Sequence, residues 1–129
     1  MTQRNTRQMA VTLNAVRALA DHPTADRVYD YIHTSHPKVS RATVYRNLSK
    51  LCRMGSVRRV KIPGSADRFD HNLTPHYHFI CSVCGNLEDL DLPYMENINR
   101  LCRNLGGRKV NRHTILFDGV CADCLGKDN

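Results

Sequence analysis

The sequence predicts an α+β fold in two modules: a three-helix unit with a β-hairpin, and then a smaller unit of short strands and one helix. Apolar residues recur at helical spacing as far as about residue 55, and short strand-like runs follow. Charge divides at nearly the same place, since residues 1–69 carry thirteen basic and four acidic side chains, whereas residues 70–129 carry six and eight. A chain of 129 residues has room for two modules of these sizes.

Three helices are predicted in the N-terminal module, the first of them over residues 8–20. Thr24 and Ser40 are the expected N-caps of the second and third, because a hydroxyl there can accept from a first-turn amide. Pro23 and Pro37 stop the first two helices, and Gly55 lies just past the third. The predicted buried faces, in chain order, are Met9, Leu13, Val16 and Ala20; Val28, Tyr31 and Ile32; and Val44, Leu48 and Leu51.

A two-stranded hairpin is predicted directly after the third helix. The strand-like stretch 57–62 leads through the turn Pro63-Gly64-Ser65 to a returning strand at Arg68-Phe69. Three helices followed by a hairpin is the element order of a winged helix-turn-helix.

The third helix and the hairpin carry donors suited to nucleic acid. Their Arg, Lys, Thr and Tyr side chains can donate to phosphates, and Arg can also read guanine edges. An excess of positive charge in one module favours a polyanionic partner, although a basic face that only meets solvent is the alternative. The candidate DNA-binding residues are Arg41, Thr43, Tyr45, Arg46, Lys50 and Arg58.

The C-terminal module is predicted to contain strands over 77–81 and 87–90. Pro93 can open a helix that ends at Gly106-Gly107, and residues 109–117 have the pattern of a further strand. The expected apolar face of that helix is Ile98, Leu101, Cys102 and Leu105. About 60 residues is close to the lower limit for an independent core, so this module should need a metal, a partner subunit or both.

Two Cys-x-x-Cys pairs lie in the C-terminal module. Each pair can hold one side of a tetrahedral ion, and four thiolates leave no open position, which indicates a structural Zn²⁺ site. Two disulfides or a dithiol redox centre are the alternatives; a chain without a secretion signal disfavours the first, and a redox centre needs only one pair. The predicted zinc ligands are Cys81, Cys84, Cys121 and Cys124, while Cys52 and Cys102, on apolar helical faces, are expected in the core.

His76 and His78 form a second candidate group. Residues two apart in a strand point to one side, so both imidazoles can meet one ion, and Asp70 and Asp89 are carboxylates close by in sequence. Surface or hydrogen-bonded histidines explain such a pair more often than a metal does. Spacing alone gives no role to the other histidines, which are His22, His33, His36, His71 and His113.

The chain contains no run near the ~18 apolar residues of a membrane span, and its N-terminus lacks the apolar core of a signal peptide. We therefore expect a soluble cytoplasmic protein without a membrane partner.

Six segments agree in order with one known family: RNTRQ (4–8), HPTAD (22–26), ATVYRNL (42–48), RFD (68–70), HYHFIC (76–81) and GVCADC (119–124). Through them the chain resembles the ferric uptake regulator (Fur) family over essentially its whole length, and most resembles the peroxide-sensing repressors. The resemblance implies a winged helix over 1–69 and an α/β dimerisation domain over 70–129. It also implies a homodimeric, metal-dependent repressor of palindromic DNA operators, which is not an enzyme.

In similar peroxide sensors the regulatory ion is held at positions that match His22, Asp70, His76, His78 and Asp89. Asp70 distinguishes this branch, since iron-responsive relatives commonly carry Glu there. Imidazoles and carboxylates with one open position suit Fe²⁺ or Mn²⁺. The resemblance further implies that peroxide oxidises His76 or His22 in the Fe²⁺ form and weakens operator binding, whereas the Mn²⁺ form stays bound. An iron- or manganese-responsive repressor without peroxide sensing is the alternative.

A further metal site of other members falls at Pro75 and Tyr77 here, neither of which is a good ligand. Only Glu96 and His113 remain from that pattern, so no third ion is expected. A zinc enzyme is the rival from another class, but four cysteines saturate the zinc and no His-x-Glu pair occurs. A zinc-stapled scaffold that binds only protein would differ from a DNA binder in showing no salt dependence.

Overall fold

The computed structural model describes residues 3–102 and 105–127, and the chain divides into two compact units, Met1–Leu73 and Thr74–Asn129. The predicted module boundary, between residues 69 and 70, stays a prediction. The N-terminal unit contains α1 (Gln3–Leu19), α2 (Ala25–Ser35), α3 (Arg41–Arg53), β1 (Arg58–Val60) and β2 (Arg68–Asp70). The C-terminal unit contains β3 (His78–Cys81), β4 (Leu87–Asp89), α4 (Glu96–Leu101), a 3₁₀ turn (Leu105–Gly107), β5 (Leu116–Gly119) and α5 (Ala122–Lys127).

Helix α1 begins before residue 8, and its buried face is rotated from the predicted one. Val16 is buried as expected, but Ala20 is exposed and lies beyond the helix, while Thr12 is fully buried. The Thr12 hydroxyl donates to the carbonyl oxygen of Gln8 at 2.8 Å, so a polar side chain can lie inside at little cost. The predicted place of Ala20 in the core was wrong, because the chain leaves the helix before that residue.

Ala20 has a left-handed backbone, with φ at +57°. A residue with a Cβ is disfavoured there by roughly 1–2 kcal/mol, whereas glycine adopts this conformation readily. Ala20→Gly is therefore expected to raise the free energy of unfolding by about 1 kcal/mol in urea denaturation. Ala18→Gly, at an exposed position inside α1, is the matched control and should lower it by about 0.5–1 kcal/mol. A loss of stability in A20G would contradict strain at this turn.

The N-caps of α2 and α3 are those predicted. The Thr24 hydroxyl accepts from the backbone N–H of Arg27 at 3.2 Å, and the Ser40 hydroxyl accepts from that of Thr43 at 3.1 Å. Each cap of this kind contributes about 1 kcal/mol to the stability of its helix. The predicted core residues Val28, Ile32, Val44, Leu48 and Leu51 are all buried.

Tyr31 was predicted in the buried face of α2 but is 46% exposed. Ala25 and Tyr29 pack against the core instead, next to Val28 and Ile32. The apolar spacing of α2 allows the buried face to extend from Val28 toward either Tyr31 or Tyr29. Helices α1 and α3 pack on the side away from Tyr31, so that side is the buried one.

Strands β1 and β2 form the predicted antiparallel hairpin, in which Arg59 is opposite Phe69. Gly55, with φ at +77°, ends α3 as expected. Strand β2 also contacts the turn between α1 and α2, because the Phe69 N–H donates to the Pro23 carbonyl oxygen at 2.9 Å. Phe69 lies in the same apolar core as the three helices, which makes the unit a winged helix-turn-helix.

The C-terminal unit contains a three-stranded sheet in the order β4-β3-β5, with β3–β4 antiparallel and β3–β5 parallel. Its apolar cluster is small and consists, among the described residues, of Cys81, Cys121 and Cys124 with Phe79 and Val120 packed against them. The mixture of helices and two small sheets confirms the predicted α+β class.

The helix predicted from Pro93 was too long. Helix α4 begins only at Glu96, and Leu101 and Leu105 are 80% and 63% exposed, so the predicted apolar face is largely uncovered. The strand predicted over 109–117 was also wrong, because β5 begins at Leu116. Apolar spacing identifies a face that favours burial but does not show whether the same chain covers it.

Cys52 packs against the helical core as expected, and burial raises the pKa of its thiol. Cys102 is half-buried and belongs to neither apolar cluster of the described residues. Among the described residues, no helix is both long enough and apolar enough to span a bilayer.

Candidate metal centres and recognition helix

Four cysteine sulfurs converge in the C-terminal unit. Cys81 ends β3 and Cys84 lies in the turn that follows, while Cys121 precedes α5 and Cys124 lies within it. The parallel pairing of β3 with β5 brings the two Cys-x-x-Cys segments together, and all four sulfurs lie within 4.8 Å of one another. The structure thus brings together the four cysteines that the spacing assigned to zinc.

Backbone amides surround the Cys81 sulfur. It accepts from the N–H groups of Val83, Cys84 and Cys121, each at 3.4 Å. The Cys84 amide, followed by the Cys121 amide, lowers the pKa of Cys81 to about 6. A hydrogen bond with the Cys121 thiol, together with burial, raises the pKa of Cys124 to about 12. Four thiolates cannot share this space without a cation, and a tetrathiolate suits Zn²⁺.

In the N-terminal unit, His22 and Asp70 form a buried pair. The His22 Nε2 lies 3.4 Å from a carboxylate oxygen of Asp70, and their side chains are 8% and 2% exposed. Two bonds fix the pair: Arg68 donates to the carbonyl oxygen of His22 at 3.2 Å, and the Asn72 N–H donates to Asp70 at 2.9 Å. His22 itself has a left-handed backbone, with φ at +53°. Such strain at a buried imidazole is typical of a functional position.

In the C-terminal unit, His76, His78 and Asp89 form a second group. The two Nε2 atoms are 3.0 Å apart, and Asp89 Oδ1 lies 3.0 Å from the first and 3.3 Å from the second. His78 is directly opposite Asp89 in the β3–β4 register, which explains why the carboxylate arrives there. His76 Nδ1 bonds to the Thr74 carbonyl oxygen at 2.5 Å, so that Nε2 is left to accept or ligate.

These two groups contain all five residues that the resemblance assigned to a regulatory ion. Their donors are imidazole nitrogens and carboxylate oxygens, a set that fits Fe²⁺ or Mn²⁺ better than a thiolate-preferring ion. Each unit supplies a group whose members are already in mutual contact. That one ion joins both groups is part of the function proposed below.

The candidate DNA-binding side chains of α3 differ in how they are held. Arg41 and Tyr45 both donate to the carboxylate of Asp26 on α2. The hydrogen bond from Tyr45 to Asp26, together with burial, raises the pKa of Tyr45. Arg46 instead donates to the hydroxyl of Thr43 at 3.2 Å. Sequence reasoning missed Asp26, because nothing in its spacing relates it to α3.

The wing also contacts α3 through a residue that was not among the six candidates. Arg59 donates to the Ser49 hydroxyl at 3.3 Å and to the Asp67 carboxylate at 3.1 Å, and its guanidinium lies 5.3 Å from the centre of the Phe69 ring. Arg58, the predicted contact, is half-buried at the start of β1. The alternation of side chains in the strand distinguishes these two arginines.

Comparison with known proteins shows that residues 1–117 match the model of the "Ferric uptake regulator family". The chain belongs to the ferric uptake regulator family. It is 37% identical over 106 residues to the peroxide-responsive repressor PerR of Staphylococcus aureus, an alignment that covers 82% of this chain and 72% of that repressor. The predicted family is thereby confirmed.

Solved structures of Fur-family proteins show the same fold. The Campylobacter jejuni peroxide stress regulator superposes with a TM-score of 0.77 at 27% identity, covering 94% of this chain and 91% of that one. The Helicobacter pylori ferric uptake regulator, described with three functional metal-binding sites, gives a TM-score of 0.76 at 20% identity, covering 92% and 80%. These likenesses confirm the predicted winged helix with a smaller C-terminal α/β domain.

Another polar cluster in this Fur-family chain surrounds His113. Its Nε2 lies 2.6 Å from the Tyr77 hydroxyl and its Nδ1 lies 2.8 Å from Asn99 Oδ1, while the Tyr94 ring stacks on the imidazole at 4.6 Å. Both ring nitrogens of His113 are therefore occupied by hydrogen bonds within the unit. Sequence reasoning gave His113 no role from its spacing, since its partners are far away in sequence.

Tyr77 is fully buried, and its hydroxyl also accepts from the backbone N–H of Met95 at 3.0 Å. Tyr77→Phe leaves His113 Nε2 and the Met95 N–H, both only partly shielded from water, without their partner and is expected to cost about 1 kcal/mol of stability. Thermal unfolding of the zinc-loaded protein would measure this loss. Tyr29→Phe, which removes an exposed hydroxyl bond to His33, is the matched control and should change little. Equal losses in both variants would contradict a structural role for the His113 cluster.

Proposed function

We propose that this chain is a metal-dependent transcriptional repressor that binds DNA as a homodimer in the cytoplasm and releases it in response to peroxide. The observation that carries the proposal is the pre-arranged set of two histidines and a carboxylate, His76, His78 and Asp89, with donor atoms about 3 Å apart. The similarity to the Staphylococcus aureus repressor supports the peroxide response.

The four cysteines would hold a structural Zn²⁺. The ion would tie the end of β3 to α5, since Cys81 and Cys84 lie at one segment and Cys121 and Cys124 at the other. Because four thiolates leave no position for a substrate or water, this centre supports folding and not catalysis. The proposal therefore includes no enzymatic activity.

A regulatory Fe²⁺ or Mn²⁺ would be held by His22, Asp70, His76, His78 and Asp89. When bound, Fe²⁺ would reduce peroxide, and the oxidant formed from the peroxide would transfer oxygen to an adjacent imidazole; Mn²⁺ would not supply this chemistry. His22 and Asp70 belong to the winged-helix unit and the other three to the C-terminal unit. An ion with ligands from both units would couple metal occupancy to the recognition helix, so that losing His22 or His76 as a ligand would remove the coupling.

The winged helix would dock α3 into the major groove, with Arg46 and Lys50 near the backbone and Arg58 on the wing. The exposed leucines Leu101 and Leu105 of the C-terminal unit support a second subunit, since apolar side chains that a unit leaves uncovered can be buried at an interface between subunits. Two recognition helices related by a dyad would read a palindromic operator.

Operator binding by the Fe²⁺ and Mn²⁺ forms, each with and without peroxide, tests the proposal. The probe is a duplex selected in vitro from a random pool by the Mn²⁺ form. We expect peroxide to abolish binding by the iron form alone and to add one oxygen to a peptide containing His22 or His76, detected by mass spectrometry. Equal responses of both forms would favour the alternative, an iron- or manganese-responsive repressor without peroxide sensing.

A further inference from the structure

Asp26 lies in the first turn of α2 and faces α3. One oxygen of its carboxylate accepts from the Arg41 guanidinium and from the Tyr45 hydroxyl. Arg41 and Tyr45 are four residues apart and so lie on the same face of α3. A single acidic group therefore binds two of the side chains with which the recognition helix would meet DNA.

Arg41 is held from a second direction as well. Its guanidinium carbon lies 4.4 Å from the centre of the Tyr29 ring, so an aromatic face covers one side of the cation. The Arg41 and Asp26 side chains are nevertheless 54% and 66% exposed, and DNA can reach both. An exposed ion pair contributes little to folding, which leaves DNA binding as the property that this pair can affect most.

Two other arginines of the same surface lack such a restraint, unlike Arg59, which pairs with Asp67. Arg46 donates to a neutral hydroxyl, that of Thr43. Arg58 makes no ion pair within the described part of the chain. These two arginines can bind phosphates with no ion-paired carboxylate at the same guanidinium, whereas Arg41 has Asp26 there.

Phosphates and base edges would meet the Asp26 group differently. A phosphate that binds Arg41 lies beside the negative charge of the Asp26 carboxylate, whether it displaces that carboxylate or uses another of the five N–H donors of the guanidinium. A base edge with an amino group, at cytosine N4 or adenine N6, can donate to Asp26 while Arg41 keeps its partner. The carboxylate therefore opposes contacts made to phosphate alone and permits contacts made to bases.

We propose that Asp26 is a specificity-determining residue, which restrains Arg41 and Tyr45 and so weakens binding to non-operator DNA more than to operator DNA. The inference rests on the proposed DNA-binding function. It assigns to an acidic residue of α2 a role in sequence selection by the basic helix α3.

The test compares Asp26→Asn with Asp21→Asn in the full-length, zinc- and manganese-loaded protein. Asp26→Asn keeps an acceptor atom but removes the charge. Asp21 is a matched control, since its side chain is 65% exposed and pairs with Arg27 of α2 at 3.8 Å, not with α3. The probes are the duplex selected by the wild-type protein and a duplex of the same composition in shuffled order, each titrated across salt concentrations.

We expect Asp26→Asn to bind the shuffled duplex about tenfold more tightly at low salt, with the slope of log K against log salt steeper by about 0.9, as one further phosphate contact requires. Its affinity for the selected duplex should change less, so selectivity falls. Equal effects of D26N and D21N would show that only net charge matters and would overturn the inference. Weaker binding of the shuffled duplex by D26N than by the wild-type protein would also overturn it. If the wild-type protein binds neither duplex, the proposed function fails first.

Discussion

Cys121→Ser is expected to abolish zinc binding and unfold the C-terminal unit, while the N-terminal unit remains folded. The binding free energy of a structural zinc ion, on the order of 10 kcal/mol, is folding free energy for so small a unit. Among the described residues, the apolar cluster there has only Phe79 and Val120 besides the cysteines. The N-terminal unit has a separate core around Val16 and Val44, which does not depend on the metal.

Zinc content by elemental mass spectrometry and limited proteolysis would measure both effects. Proteolysis of the variant should cut within residues 74–129 and spare the helices before them. Cys102→Ser is the matched control, because Cys102 is half-buried and lies outside the sulfur cluster, and it should retain its zinc. A C121S protein with one zinc per chain and unchanged proteolysis would contradict the four-cysteine centre.

Acidification should release zinc by protonating the thiolates. The amides of Cys84 and Cys121 hold the pKa of Cys81 near 6, below the usual value of a thiol, so the folded unit favours the thiolate. The stability that the Cys81 thiolate adds to the folded unit is complete above the usual thiol pKa, and it is lost as pH falls through the lowered pKa. Since zinc competes with protons for the sulfurs, release to a chromophoric chelator should increase as pH falls through the lowered pKa of Cys81, about 6. Release that does not increase over this range would contradict this account of Cys81.

Asp70→Asn is expected to lower Mn²⁺ affinity by at least about 100-fold and to leave zinc bound. Mutating a residue that only hydrogen-bonds to a metal ligand lowers metal affinity by roughly 10–100-fold, and removing a charged ligand itself should lower it more. Electron paramagnetic resonance of free Mn²⁺ gives the affinity directly. Asp118→Asn, which removes an exposed carboxylate from β5, is the matched control and should bind Mn²⁺ normally. Unchanged affinity in D70N would show that the His22–Asp70 pair does not ligate the ion.

Asp89→Asn provides the complementary measurement, because Asp89 belongs to the other unit and contacts His76 and His78. If one ion is shared, D70N and D89N each weaken the same single Mn²⁺ per chain, and their effects in the double variant are not additive. Two sites that respond separately would instead assign one ion to each unit. Operator binding should follow Mn²⁺ affinity in every variant, as linkage requires.

The sequence was sufficient wherever a feature depends on a few neighbouring residues. Thr24 and Ser40 were predicted as caps because a hydroxyl at that position reaches only the next turn. The Cys-x-x-Cys spacing likewise predicted the group of four sulfurs that the structure brings together, since each pair can chelate by itself. His22, in contrast, was assigned only through family resemblance, because no local pattern connects it with Asp70.

Features formed by residues distant in sequence required the folded chain. Tyr31 has helical spacing yet is exposed, since the packing of neighbouring helices selects which edge of an apolar stripe is buried, and Ala20 is exposed because the chain leaves α1 before it. Asp26 reaches Tyr45 across nineteen positions, and His113 reaches Tyr77 across thirty-six. Caps, turns and thiolate pairs follow from short-range chemistry in the sequence. Buried faces and polar clusters depend on loops closing over many residues, and those contacts exist only once the units have folded.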